Sequence, residues 1–248
     1  MKSNKIYIVS AVLFCLGAIL VFSGFAVSGF DWHKLGIDET YEQKQFDAAE
    51  TVEELVIDDK NIGITIQTGD TKTASVSYAE SENTTYKITE DEGKLTIQRQ
   101  DERKWYDHVG IHFGDDMPKL IVTLPESFRG SIDADTSNGA IQLENINGKR
   151  LKLHTSNGKL SLEQVEFAEI DCHTSNGKIA VDEAGGDDIS LETSNGAIKG
   201  TIKGSMEDYR ITSHTSNGSN NLPESSKGGE KKLHVKTSNG RIDLDFAD

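Results

Sequence analysis

Cysteine is nearly absent from this chain: Cys15 and Cys172 are the only two among 248 residues. Cys15 falls within an apolar N-terminal run, so a core disulfide cannot staple the rest of the chain. Bases are short as well, with 26 Lys and Arg against 41 Asp and Glu, a formal net charge of −15. Every acid lies after Phe30, where 24 bases leave the balance at −17. Such a charge disfavours nucleic acid and anionic lipid as partners of that region. Apolar residues are scarce outside one block. The hydrophobic set is 35% of the chain, but 18 of its members fall between Ile6 and Val27. About 30% remains elsewhere, too little for a thick globular core. No GxSxG, P-loop, HExxH or CxxC motif occurs, so no familiar catalytic constellation is legible.

What is present begins with Ile6 to Phe30, a run of 25 uncharged residues. About 20 apolar residues cross a bilayer as a helix. Lys2 and Lys5 precede the run and Asp31 follows it, which places the N-terminus in the cytoplasm. Trp32 sits where an interfacial aromatic belongs. The reading is an uncleaved signal anchor. A cleaved signal peptide is the alternative, because Ala26-Val27-Ser28 resembles a small-x-small cleavage site, although the apolar region is longer than a signal peptide needs. Residues 1–5 are then cytoplasmic, 6–30 transmembrane, 31–50 a charged stalk, 51–130 a degenerate strand segment and 131–248 a repeat domain. Everything after the span is extracytoplasmic, and the protein sits in the cell membrane as a single-pass protein.

The tetrapeptide Thr-Ser-Asn-Gly occurs six times, starting at Thr136, Thr155, Thr174, Thr193, Thr215 and Thr237, with spacings of 19, 19, 19, 22 and 22. Apolar pairs stand four and two residues before the Thr, as in Leu151 with Leu153 and Ile170 with Cys172. Further pairs follow five and seven residues after it, as in Leu160 with Leu162 and Ile179 with Val181. Alternation at period two on both sides of a turn reads as strand, turn, strand. Two architectures fit. In a hairpin meander Thr155 would face Leu160 across a two-residue turn. In a parallel β-solenoid (a β-helix or β-roll) each 19–22-residue unit is one coil, and equivalent residues stack about 4.8 Å apart. The solenoid is the preferred reading, because stacked turns share one environment and so favour one sequence. The expected fold class is therefore all-β, a parallel β-solenoid preceded by a transmembrane helix.

The pattern loosens between Thr51 and Leu124. Gly63-Ile64-Thr65-Ile66 and Gly93-Lys94-Leu95-Thr96-Ile97 echo the strand that follows each turn. Residues 219–231 read as a loop bulging from a longer coil, and the chain ends soon after Thr237 with no cap in view. Charges at Arg241, Asp243 and Asp245 would discourage pairing at the final strand.

The turn column comprises Asn138, Gly139, Asn157, Gly158, Asn176, Gly177, Asn195, Gly196, Asn217, Gly218, Asn239 and Gly240. It is read as structural, since Asn and Gly tolerate the positive φ angles of a tight turn. The residue before each Thr forms a second, outward column of Asp135, His154, His173, Glu192, His214 and Lys236. His154 and His173, one rung apart, are the candidate metal ligands, although a solvated face is the preferred reading. His108 and His112 share an aromatic run with Trp105, Tyr106 and Phe113, read as a packed plug or a sugar platform. No cofactor is indicated.

The repeated TSNG units, the preceding strand-rich segment with LPESF at Leu124 to Phe128, and the N-terminal span resemble the bacterial putative-adhesin family of envelope proteins that includes the LiaG-like proteins. The resemblance covers most of residues 45–248. It implies a membrane-associated extracytoplasmic β-solenoid, and LiaG-like members are linked to envelope stress. The expectation is a noncatalytic envelope module for adhesion, surface binding or stress response. Its partners would be the cytoplasmic membrane, through the N-terminal helix, and an envelope protein or cell-wall glycan. Two alternatives stand beside it: a regulatory partner of a membrane sensor, and a carbohydrate-active β-helix enzyme.

Overall fold

The computed structural model describes residues 40–101 and 118–247, together with Gly17 and Ser23. The expected span at 6–30, apart from Gly17 and Ser23, and the aromatic run at 105–113 lie outside the described residues. Among the described residues no helix is long and apolar enough to cross a membrane.

Residues 41–101 and 118–247 belong to one compact unit whose fold is all-β, with a curled and mostly parallel sheet. Most repeats contribute one strand before the Asn-Gly turn and one after it, while the turn after β15 (Tyr209–Thr215) is followed by a single bridge, Asn220 with Ile242. The pre-turn strands stack in the order β5 (Thr84–Asp91), β6 (Lys94–Asp101), β2 (Glu54–Asp58), β8 (Ser131–Thr136), β10 (Asn147–Thr155), the second half of β11 (Leu160–Thr174), β13 (Asp188–Thr193), β16 (Lys231–Thr237) and β15 (Tyr209–Thr215). The post-turn strands stack as β1 (Glu42–Asp47), β4 (Ser75–Glu80), β7 (Lys119–Pro125), β3 (Gly63–Gly69), β9 (Ile141–Glu144), the first half of β11, β12 (Ile179–Gly185), β14 (Ile198–Lys203) and β17 (Ile242–Ala247).

Register decides between the two architectures. Leu153 lies opposite Cys172, and Cys172 opposite Leu191. Leu160 lies opposite Ile179, not opposite Thr155. Equivalent residues of successive repeats are neighbours in parallel, so the fold is a solenoid-like repeat and the hairpin meander is excluded. Among the described residues, antiparallel strand pairs lie at the N-terminal end, where β1–β4, β4–β7 and β5–β6 close the stack, and a single antiparallel bridge, Thr212 with Ser225, lies at the other end.

The alternation produces the core directly. Leu55, Ile132, Leu151, Ile170, Ile189, Leu233 and Ile211 form one inward column, each at most 1% exposed. Ile64, Ile141, Leu160, Ile179, Ile198 and Ile242 form the facing one, also buried. Each such side chain stabilises by about 1.5–3 kcal/mol on burial. Because every rung covers its neighbours, few apolar residues per coil suffice. Cys172 is one of them, fully buried in the column of Leu153 and Leu191.

Several local expectations change. Glu42–Asp47, assigned to the stalk, is a strand paired with Ser75–Glu80. The segments 51–130 and 131–248 share one core, since β2 pairs with β8 and β3 with β9. The Gly63 echo is a post-turn strand as expected, but the Gly93 echo belongs to the pre-turn stack, with Leu95 opposite Leu55. A β-strand's alternation is the same on either side of a turn, so sequence phase alone could not assign the stack.

The last two coils are out of chain order. β16 inserts between β13 and β15, which leaves Tyr209–Thr215 outermost. The residues explain the exchange. Where inner rungs place Leu, Cys or Val, β15 places Ser213, whose hydroxyl donates to Pro223 O at 2.8 Å and accepts from Asn220 Nδ2 at 2.8 Å. Residues 219–226 fold over the end, with Ser226 N donating to Ile211 O and Ser213 N to Glu224 O. Beside β17, Asn221 donates to Leu244 O at 2.9 Å and accepts from its N–H at 3.0 Å. The segment expected to bulge is thus the cap expected to be missing.

Candidate functional site

The repeated turn is a ridge whose four residues have separable tasks. Thr is buried at five of the six positions, Thr215 of the outermost coil being half-buried. Its Oγ1 accepts from the N–H of its own Gly, at 3.0 Å for Thr155 with Gly158 and for Thr174 with Gly177. The same hydroxyl donates to the Gly carbonyl of the neighbouring coil, at 3.2 Å from Thr174 to Gly158 and 2.9 Å from Thr193 to Gly177. Ser supplies a backbone carbonyl to the next rung, as Asn157 N to Ser137 O at 2.9 Å. Its side chain points outward.

Asn builds an amide ladder along the crest. Asn157 donates to Asn138, Asn176 to Asn157, Asn195 to Asn176, Asn239 to Asn195 and Asn217 to Asn239, at 2.7–2.9 Å. Asn138 in turn donates to Asn61 at 2.7 Å, which adds a seventh rung that lacks the tetrapeptide. The glycines are required for a different reason from the one expected. None of the turn Asn or Gly residues has a positive φ. A Cβ on Gly158 would collide with Gly139 O, one on Gly177 with Gly158 O, and one on Gly196 with Gly177 O. Backbone packing between rungs, not turn handedness, demands glycine.

Left-handed residues occur instead at a second corner, at Asn145, Gln164 and Glu183, with φ of 57°, 51° and 53°. They are spaced by 19, with Asn145 just after β9, Gln164 inside β11 and Glu183 inside β12. Sequence reading missed this corner because only Asn145 is a residue type that marks it.

The first rung is a variant. Asp59, Lys60, Asn61 and Ile62 occupy the Thr-Ser-Asn-Gly positions. Asp59 is 2% exposed, and its Oδ1 accepts from the N–H groups of Lys60, Asn61 and Ile62 at 2.6, 2.9 and 3.1 Å. Its Oδ2 accepts from Tyr86 Oη at 2.5 Å, and Arg99 Nη1 lies 3.5 Å from Oδ1. Burial, then the neighbouring Asp59 charge, pushes the Tyr86 phenol well above its ordinary range. The phenol therefore remains a donor.

The outward column runs in space as Asp58, Asp135, His154, His173, Glu192, Lys236 and His214. His154 and His173 stack with ring centroids 5.5 Å apart and 18° between planes. His154 Nδ1 lies 2.6 Å from Asp135 Oδ2, and His234 Nε2 lies 3.2 Å from Glu192 Oε1. Among the described residues no group of three His, Cys, Asp or Glu is arranged to hold a metal. Face-to-face rings also aim their nitrogens past each other rather than at a common point.

An open cleft of about 640 Å³ lies along the second corner, lined among others by Arg129, Glu166, Gly185, Gly186, Lys203 and Lys231. Lys203 Nζ bonds Glu166 Oε2 at 2.7 Å across Gly185, whose missing side chain lets the two stems meet. That bond lowers the Glu166 pKa and raises that of Lys203.

A parallel coil stack bound together by turn ladders defines a class of repeat protein with regular outer faces. Residues 52–248 match the Toastrack DUF4097 family, and the chain belongs to it. Among solved structures it is similar to a putative cell adhesion protein from Clostridium sporogenes, with 12% identity, 85% of this chain and 100% of that one covered, and a TM-score of 0.52. It is also similar to a putative adhesin from Bacteroides fragilis, with 13% identity, 83% and 97% covered, and a TM-score of 0.45. The former likeness shows a common fold, in line with the putative-adhesin resemblance read from the repeats. No curated protein sequence matches the chain.

Proposed function

We propose that this chain is a noncatalytic, membrane-anchored protein of the bacterial cell envelope that presents its parallel coil stack outside the cytoplasmic membrane for surface binding. The observation that carries this reading is the use made of the repeat. Its Thr, Asn and Gly are spent on holding rungs together, and what faces outward is a regular set of polar columns. A stack of this kind displays side chains at fixed spacing without enclosing a reaction chamber. The uncharged run from Ile6 to Phe30 supplies the anchor, and Lys2 and Lys5 its orientation. A protein displayed in this way at the membrane is also placed to take part in an envelope-stress response.

The reading is tested by fractionating cells that express the full chain and treating intact protoplasts with protease. The protein should pellet with membranes and lose its C-terminal domain to external protease, and it should bind isolated cell-wall sacculi. Recovery in the cytosol, protected from protease, would overturn the reading.

A further inference from the structure

The two middle coils carry one hexapeptide twice, His-Thr-Ser-Asn-Gly-Lys at 154–159 and 173–178. Register stacks His154 on His173, and Lys159 falls beside Lys178 because Leu160 pairs with Ile179. Both lysines are exposed, and neither makes an ion pair with a described residue. Two ammonium groups about one rung apart repel each other. On either side the same position holds Ala140 and Ala197, which separate the adjacent pair from Arg241 in the coil beyond. The next outward position carries Gln142, Ser161, Ala180 and Lys199, and its first carboxylate, Asp243, lies beyond and pairs with Lys199 at 3.9 Å. The crest adds further donors. Each Asn spends one Nδ2 hydrogen on the ladder and keeps the other, and Ser156 and Ser175 make no side-chain hydrogen bond to a described residue. A domain that is otherwise strongly acidic thus holds one strip of unused donors and unneutralised cations.

We propose that the twin hexapeptide coils bind the phosphate groups of a linear phosphodiester polymer. The proposal rests on the surface-binding reading above and names its ligand class. Lysine presents a point charge of the kind that commonly binds phosphate. A phosphodiester keeps its charge at any physiological pH and offers oxygens to both ammonium groups at once. The strip's dimensions favour a polymer over a membrane. A flat anionic bilayer would press against the surrounding Asp and Glu columns, while a thin strand can lie on the strip alone.

The test measures fluorescence anisotropy of labelled poly(glycerol phosphate) with the full-length protein in detergent micelles. Binding should weaken with salt and fall about tenfold in the Lys159→Ala, Lys178→Ala double variant. The Lys44→Ala, Lys94→Ala double variant, with the same change in net charge at two ion-paired positions, should bind as the parent does. Equal loss in both variants, or loss in neither, overturns the site. Equal affinity and lysine dependence for a carboxylate polymer of matched charge overturns the choice of phosphate. Lysine-dependent binding to phosphatidylglycerol vesicles without binding to the polymer overturns it in favour of a membrane. Sacculus binding by the parent protein, with no binding of the parent to the polymer, would leave the surface-binding reading standing and remove only this site.

Discussion

At the residue scale, glycine in the turn answers to its neighbour rather than to its own backbone. Gly177 has no room for a Cβ because Gly158 O occupies the place. Gly177→Ala should therefore cost about 3 kcal/mol, as overpacking against backbone does. Gly177→Asn should cost at least as much. If a left-handed turn were the reason for glycine, Asn would be the milder substitution, and urea denaturation of the two variants separates the accounts. Asn176→Ala, which breaks two surface ladder bonds, should cost only about 1 kcal/mol.

Asp59 gives a second residue-scale prediction. Asp59→Thr brings the first rung closer to the repeat sequence, yet it strips the carboxylate from buried Arg99 and from Tyr86. Loss of one member of a buried ion pair typically costs about 3–5 kcal/mol. A stabilised variant in the same denaturation experiment would contradict this account. Cys172 supplies a third. Burial pushes its thiol pKa up, so the folded state holds the neutral thiol where the unfolded chain ionises. Stability should fall as pH rises past the ordinary thiol value. In a Cys15→Ala background, a thiol reagent at pH 8 should leave Cys172 of the native protein unlabelled and label it fully in denaturant.

At the scale of elements, the exchange of the last two coils is the feature that chain order conceals. Coil identity is the same on both sides of the exchange, since Thr215 and Thr237 head identical tetrapeptides. Ser213 is the distinguishing residue, polar where Val235 is apolar, and it needs the partners that only the capping segment supplies. In a Cys15→Ala, Cys172→Ala background, Glu192→Cys with Lys236→Cys should form a disulfide under mild oxidation, because the two positions are register partners on adjacent strands. Glu192→Cys with His214→Cys should not, since a whole strand separates them. The reverse result would restore sequential stacking.

At the scale of the molecule, the repeat phase was enough to read the architecture. Period-two alternation gave the strands, and identical turns at one phase gave parallel stacking, as Thr155 beside Thr174 confirms. The turn column was legible as residues but not as a mechanism, because contact between glycines of different coils has no signature within one coil. The seventh rung at Asp59 to Ile62 was hidden by its substitutions, although Leu55, Ile57, Ile64 and Ile66 hold the apolar phase around it. The cap escaped because its bonds run from Asn and Ser side chains to backbone. Such pairings depend on where the chain returns.

Parallel, in-register stacking is the claim on which everything else rests, and nuclear Overhauser contacts between backbone protons test it directly. The stack predicts strong contacts linking Leu153 with Cys172 and Cys172 with Leu191 across neighbouring coils. Contacts linking Thr155 with Leu160 and Leu153 with Leu162 across the Asn-Gly turn, with the inter-coil set absent, would mean a hairpin and would contradict it.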